Sequence, residues 1–510
     1  MDADVAVIGL GPVGAILTGL LGKRGLRVIA IEKEKDVFPL PRAAHIDHTG
    51  LRTIQEVGCL DEILPRVVRN KRLDLLDADR RLLARVPADQ ESVSGLPTSV
   101  YFYQPEFDRA LRQKAASYPS VDVRIGNEMI GLLPDASAVT LTLKSEQGVQ
   151  SIRAGWVVGC DGAWSPVREG LGIKLESLGF DEQWLVLDLL LKEPNPALPA
   201  DHVIEVCDPA RPYLTTPISA TRQRFEFMLL PGENPDDVRR PDMISRLLGA
   251  WIPEAKYEVE RAAVYTFHGL LARQWRLGRV FIAGDAAHQT PPFLGQGMCA
   301  GIRDVSNLAW KLALVIQKNV PHELLDSYQS ERSPHARRVI EAAIRIGRVI
   351  CDLHAERAAE RNRRLLGHDT ALEAELAFAL PRLLAGPLVL EGGGALFIQP
   401  EFEGKHLDDF VGQRFLVLSR TRAALGKSAS WWYDQLDAMI LVLAERPNER
   451  LLQWLDRYRA NVAVVRPDRY VMGTGKSLDA ITSEIQSVLE TGAHSDSVSQ
   501  ASGVRREIVS

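Results

Sequence analysis

An α/β architecture is what this sequence predicts: a parallel sheet flanked by helices, an antiparallel lobe inserted into it, and a small α/β module at the C-terminal end. Three observations carry the prediction. A strand, a glycine-rich turn and a helix open the chain. The same order returns well past its middle. Between the two, Pro and Gly punctuate runs that partly alternate in polarity.

The first unit begins with Asp4-Val5-Ala6-Val7-Ile8, a short apolar run of the kind that makes a buried strand. Gly9-Leu10-Gly11-Pro12-Val13-Gly14 follows at once, and the apolar period from Pro12 to Arg24 predicts a helix. Gly9 allows a tight turn, Gly11 lets the backbone approach a pyrophosphate, and Gly14 lets helix and strand pack closely. The phosphate charge then meets free amides at the helix N-terminus. A second strand, Arg27-Val28-Ile29-Ala30-Ile31, ends at Glu32 and Lys33. An acid about 20 residues beyond the glycines belongs at ribose hydroxyls, and it repels a 2′-phosphate. This is a Rossmann-type site for FAD or NAD rather than NADP.

Residues 1–175 form the first part of that nucleotide-binding domain. Gln104-Pro105-Glu106-Phe107 starts a helix with Pro in its first turn. Trp156-Val157-Val158-Gly159-Cys160 predicts another buried strand, leading into Asp161-Gly162. Residues 176–275 read as the sheet lobe, in which Arg224-Phe225-Glu226-Phe227-Met228-Leu229 partly alternates. Residues 276–395 return to the nucleotide-binding domain and add long helices. Residues 396–490 predict the α/β module, with a strand at Asn461-Val462-Ala463-Val464-Val465. Residues 491–510 are Ser-rich and weakly apolar, and are expected to be disordered.

The second unit has its own logic. Arg279-Val280-Phe281-Ile282-Ala283 is a strand that delivers Gly284-Asp285 at its C-terminal end, the edge where open α/β sheets bind ligands. Asp285 is placed to accept hydrogen bonds from the ribityl hydroxyls of a flavin. Gly295-Gln296-Gly297-Met298 opens a helix that runs through Asn307 and Trp310 to Lys318. Its N-terminus favours the negative charge that a reduced flavin carries on its pyrimidine edge. One dinucleotide that uses both signatures is FAD, which makes an oxidoreductase the leading reading.

Composition fits. The chain has 510 residues, 46% hydrophobic and 25% charged, which are ordinary globular values. A net charge of −5 gives no reason to expect nucleic acid as a partner. Cys59, Cys160, Cys207, Cys299 and Cys351 show neither CxxC nor metal-ligand spacing, so they predict reduced thiols in the cytoplasm and no metal. The N-terminus runs straight into a strand, with no signal-peptide pattern. No apolar stretch approaches the ~20 residues that cross a membrane.

Three motifs resemble the class A flavoprotein monooxygenases, the single-component aromatic hydroxylases. They are Gly9-x-Gly11-x-x-Gly14, Asp161-Gly162-Ala163-Trp164-Ser165-Pro166-Val167-Arg168 and Gly284-Asp285-Ala286-Ala287-His288. Within that family, Pro41-Arg42-Ala43, Cys207-Asp208-Pro209-Ala210-Arg211-Pro212-Tyr213 and Asn307-Leu308-Ala309-Trp310-Lys311-Leu312 resemble the 3-(3-hydroxyphenyl)propionate hydroxylases. The resemblance implies a glutathione-reductase-like flavoprotein fold with a substrate lobe and a thioredoxin-like C-terminal module, here without CxxC. It implies FAD as cofactor and NADH or NADPH as co-substrate. It also implies O2 and a phenolic substrate, such as 3-(3-hydroxyphenyl)propionate, hydroxylated through a flavin C4a-hydroperoxide. A homodimer is the assembly it suggests.

The resemblance carries roles to individual residues. Gly9, Gly11, Pro12, Val13, Gly14, Glu32 and Lys33 hold the ADP half of FAD. Arg42 lies near the pyrophosphate, Gln104 contacts the cofactor, and Asp161 serves both FAD and the pyridine nucleotide. Gly284 and Asp285 hold the ribityl chain, and Pro292, Gly295, Gln296, Gly297 and Met298 line the isoalloxazine. Arg42 and Gln104 also read as a solvated loop charge and a plain helix start. Arg42, Pro292 and His288 are the candidates at the reacting centre. His288 reads as a general base for the phenol proton, and equally as a structural histidine. Arg211 and Tyr213 read as substrate contacts, or as surface charge and lobe packing.

The chain also departs from the family. Cys299 stands where many relatives carry Asn, and Thr290-Pro291-Pro292-Phe293-Leu294 differs from the propionate hydroxylases, which leaves the substrate open. Other readings are an FAD-dependent epoxidase or oxidase, and a non-catalytic FAD-binding protein. The halogenase motif Trp-x-Trp-x-Ile-Pro is absent, and intact motifs around the flavin ring speak against a pure binding module.

Overall fold

The strand Ala3–Ile8 is buried but for Asp4 because it lies inside a parallel sheet. It pairs in parallel with Val28–Glu32 on one side and Gly148–Gly159 on the other. Val121–Ile125 extends one edge and Val280–Ile282 the other, both in parallel, and Arg276–Leu277 closes the latter edge antiparallel. Such a sheet is covered on both faces, so its strands read as apolar runs. The computed structural model describes residues 1–376 and 378–490. The segment 491–510, expected to be disordered, lies outside the described residues.

The helix Pro12–Lys23 packs on the first strand at Gly14, where an added Cβ would stand 1.9 Å from the Gly9 carbonyl oxygen. The two glycine signatures then meet. A Cβ on Gly301, in the helix Gly297–Gln317, would stand 2.7 Å from Val13 and 2.9 Å from the Gly284 Cα.

A second sheet has eight strands. In spatial order they are His288–Gln289, Tyr257–Ala272, Leu175–Leu191, Arg222–Met228, Tyr213–Ser219, Val203–Val206, Arg72–Leu76 and Leu82–Pro87. All neighbours are antiparallel except Val203–Val206 and Arg72–Leu76. The sheet is therefore not confined to 176–275. Two edge strands come from the first part of the chain, because Arg72–Leu76 finds its backbone partners on Val203–Val206.

Alternation divides this sheet into two faces. Leu185, Leu187, Leu189, Phe225 and Phe227 pack into a core of their own with Trp251. Their neighbours Val186, Arg224 and Glu226 point the other way, toward a cavity between the two sheets.

The C-terminal segment folds on four strands in the order Met439–Val442, Leu416–Ser419, Val462–Val465, Val471–Gly475. The first pair is parallel and the other two antiparallel. Buried ion pairs tie it to the rest: Arg466 to Glu331 at 2.8 Å, and Arg52 to Asp408 at 2.6 Å. Such pairs fix how surfaces dock more than they add net stability. Among the described residues, no helix is long and apolar enough to cross a membrane.

Candidate active site

A cavity of about 2180 Å³ runs between the parallel sheet and the lobe. Single drug-sized ligands occupy roughly 300–1,000 Å³, so this one has room for a dinucleotide and a second molecule. Gly9, Gly11, Pro12, Val13, Glu32 and Lys33 line one end. Asp285, Pro292, Gly295, Gln296, Gly297 and Met298 line the middle. Gly14 and Gly284 stand behind this wall and shape the two turns.

The glycines answer local demands. Gly9 has φ +91°, and a Cβ there would stand 2.6 Å from the Cys160 carbonyl oxygen. Around Gly11, by contrast, nothing lies within 4 Å of an added Cβ. That open space leaves room for a pyrophosphate to approach the backbone. Gly11 caps its helix without a side-chain hydrogen bond, so the first amides are available to an anion. The helix Gly297–Gln317 likewise starts without a side-chain cap, and Gly297 faces open space. The residues present therefore fit FAD from one end of the cavity to its middle.

Glu32 is braced rather than free. Its Oε2 accepts the Leu10 N–H at 2.9 Å and Arg112 Nη2 at 3.2 Å, while Oε1 accepts the Glu34 N–H at 2.9 Å. Arg112 also donates to the Leu10 carbonyl at 2.7 Å. Sequence reasoning missed this arginine, which supports the turn from a helix far along the chain.

Gln104 is a clamp. Its Oε1 accepts the N–H groups of Arg42 and Ala43, both at 2.7 Å. From the lobe side, Arg224 donates to the carbonyls of Arg42 at 3.0 Å and Pro41 at 2.6 Å, and Arg261 also bonds Pro41. The loop is thus held by its backbone. The Arg42 guanidinium is left to line the cavity, 5.3 Å from the Phe38 ring. Asp161 also lines the cavity and accepts the Ser165 hydroxyl and the Val167 N–H. Burial pushes its carboxyl up.

Around the second signature, Asp285 is exposed to the cavity. Gly295 has φ +61°, and a Cβ there would stand 2.5 Å from His45 Nδ1. Gln296 uses its Oε1 to accept Arg303 Nη2 at 2.7 Å, which holds the turn over its own helix. The Cys299 thiol is buried beneath that turn and accepts the Asp47 N–H at 3.4 Å. A thiol in place of Asn is therefore absorbed below the cavity wall.

Besides Gly14 and Gly284, three sequence-predicted residues do not reach the cavity. His288 is fully buried, with Nε2 2.7 Å from Asp304 Oδ2 and its ring stacked on Trp275 at 5.4 Å. The short strand His288–Gln289 turns Gln289 to the cavity and His288 to the core. Of its two readings, the geometry carries the structural one. Asp304 also accepts the Gly284 N–H at 3.1 Å and Arg332 Nε at 3.0 Å. Burial pushes the Asp304 carboxyl up, but His288 and Arg332 more than offset it and hold it below the usual range. Arg211 donates to Glu233 and the Met228 carbonyl, both at 2.8 Å. Tyr213 stacks on Phe227 at 5.3 Å and accepts Trp251 Nε1 at 3.2 Å. Both belong to lobe packing, because alternation gives the cavity Leu214 and the lobe core Tyr213.

Sequence reasoning also missed the charged lobe face. Asp188 lies opposite Arg224 on one side and Arg261 on the other. Its carboxylate meets Arg224 Nε at 2.7 Å and Arg261 Nη1 at 3.2 Å. Glu226 sits 3.8 Å from Arg224, and Glu205 lies two strands beyond Glu226, on the far side of Leu214. The signal was present in Arg224-Phe225-Glu226-Phe227, whose charged members must share one face.

Comparison with known proteins agrees with this geometry. The FAD binding domain family matches residues 2–343, and the HcaD C-terminal domain family matches residues 394–488. A 3-(3-hydroxy-phenyl)propionate/3-hydroxycinnamic acid hydroxylase of Mycobacterium sp. (strain JLS) is 34% identical, over 92% of this chain and 89% of its own. Its counterpart in Escherichia coli O157:H7 (strain EC4115 / EHEC) is 32% identical, over 94% of each. Aklavinone-11 hydroxylase, solved with FAD and aklavinone, shares the fold with a TM-score of 0.79 at 23% identity, covering 96% of this chain and 99% of its own. The match to the FAD binding domain and the near full-length likeness to aromatic hydroxylases lead to one conclusion: this chain belongs to the FAD-dependent aromatic hydroxylase family of flavoprotein monooxygenases and is an enzyme.

Proposed function

We propose that this enzyme uses NADH or NADPH and O2 to hydroxylate a phenol, with 3-(3-hydroxyphenyl)propionate or a related substituted phenol as substrate. The observation that carries the reading is the unbroken cavity, which joins the glycine signatures to the lobe face. When bound, FAD supplies electron transfer from the nicotinamide and activation of O2. The chain supplies the rest. Gly9, Gly11 and the first turn of the helix Pro12–Lys23 bind the pyrophosphate, and Glu32 takes the ribose. Asp285 would orient the ribityl chain, and the start of the helix Gly297–Gln317 would stabilise negative charge on the flavin. The lobe sheet would wall off the reacting ring from water.

Finer parts of the reading have their own support. The C-terminal strand order, with one parallel and two antiparallel pairs, supports a thioredoxin-like module. Without CxxC, that module serves docking, including the contacts of a homodimer. Five free cysteines support a reducing, cytoplasmic setting.

The test is oxidation of NADH and NADPH by the FAD-loaded protein across a panel of phenols, with product masses recorded. Oxidation stimulated by one phenol, with a product one oxygen atom heavier, is the expected result. No stimulation by any phenol would overturn the reading.

A further inference from the structure

The lobe face holds two carboxyl groups for which the fold has found little use. Glu205 and Glu226 stand in one row across three strands, because each lies opposite Leu214. Both line the cavity, and they are only 4% and 6% exposed. Glu226 Oε2 has no hydrogen-bond partner among the described residues. The arginines beside them are committed elsewhere. Arg224 gives Nε and Nη2 to Asp188, and Nη1 to the Arg42 carbonyl. Arg261 gives Nη1 to Asp188 and to the Pro41 carbonyl.

Arg224 and Arg261 are spent on Asp188, and burial pushes the Glu226 carboxyl up as well. The one charged neighbour that acts on Glu205 is Glu226 and not a cation, so an anion set against Glu205 would leave uncompensated negative charge in a buried site. Burial and the neighbouring Glu226 push the Glu205 carboxyl up to about 8. A protonated carboxyl offers one O–H to donate and a carbonyl oxygen to accept.

We propose that Glu205 and Glu226 form the recognition point for an uncharged hydrogen-bonding substituent of the substrate, a hydroxyl or a carbonyl, and that they reject a carboxylate there. The inference rests on the phenol-hydroxylase reading and narrows its substrate class. A substrate with a carboxylate tail must turn that tail away from the lobe face.

Matched phenols test it: resorcinol against 3-hydroxybenzoate, and 3-(3-hydroxyphenyl)propan-1-ol against 3-(3-hydroxyphenyl)propionate. Binding is read from the absorbance change of enzyme-bound flavin. Glu205→Leu should weaken binding of the uncharged member of each pair about tenfold and leave binding of the carboxylate, whose tail is turned away from Glu205, within about threefold. Glu205→Gln should hold both members within about threefold. An equal loss for both members of each pair in Glu205→Leu overturns the inference. Unchanged affinity in a Glu205→Leu protein that keeps its FAD also overturns it. Product formation is followed beside binding. Hydroxylation without that dependence on Glu205 sinks this inference alone, whereas no hydroxylation of any phenol sinks the underlying reading as well.

Discussion

Replacing His288 decides whether the residue is a base or a strut. In His288→Gln, the side-chain amide can still donate to Asp304, which His288 Nε2 now meets at 2.7 Å. What goes is the ring on Trp275, at 5.4 Å. An aromatic pair of this kind contributes about 0.5–1.5 kcal/mol, and a buried shape change adds about as much again. A loss of roughly 1–3 kcal/mol is survivable for a domain stable by about 5–15 kcal/mol. Loss of a general base would instead cost about 10²–10⁴ in rate and leave stability alone. The assay is the hydroxylation rate per bound FAD, with thermal melting of the same preparation. The Gln variant should hydroxylate within about threefold of wild type and melt at a lower temperature. His288→Leu should melt lower still and release FAD more readily. It leaves Asp304 short of a donor, and Asp304 holds the Gly284 turn. A hundredfold fall in rate in His288→Gln, with melting and FAD content unchanged, would refute the structural role.

Three further outcomes follow from the same geometry. Gln104→Ala leaves two loop N–H groups without their acceptor at a cost of about 1–3 kcal/mol, so FAD affinity by fluorescence titration should fall, and Gln104→Glu should restore most of it. Gly14→Ala should yield a colourless protein on purification, since its Cβ would overlap the Gly9 carbonyl and push open the pyrophosphate turn. Burial pushes Asp108 up to about 7, against about 4 in an unfolded chain. The folded state therefore favours the protonated form, a contribution fully present below about pH 4 and lost as pH rises through about 7. Asp108→Asn should melt like wild type at pH 4 and above it at pH 8, and parallel melting curves across that range would contradict this.

The cofactor half of the site is legible in the sequence because each signature answers a steric demand set by its immediate neighbours. Gly9 needs its positive φ, Gly14 needs to touch Gly9, and both lie within one turn. The lobe is less legible. Arg72–Leu76 and Val203–Val206 pair in parallel although neither segment names the other. The charged face is intermediate, since alternation in Arg224-Phe225-Glu226-Phe227 puts two charges on one side without saying what lies across from them.

His288 marks where such reading stops. Gly284-Asp285 is a motif, and a histidine three residues beyond a ligand-binding acid is a reasonable candidate base. Whether it reaches the cavity depends on a two-residue strand whose register is set by Leu270 and Leu271 on the neighbouring strand. A slip of one residue would put His288 in the cavity and Gln289 in the core. Three other contacts forbid the slip: Trp275 on the imidazole face, Asp304 at Nε2, and Arg332 on the same carboxylate. Those partners come from three separate places in the chain. The orientation of His288 is therefore a tertiary property, and the buried network that places it also holds the Gly284 turn against the helix below. The hold on the Gly284 turn and the burial of His288 are two consequences of one ion-paired aspartate, so disturbing Asp304 should disturb both at once.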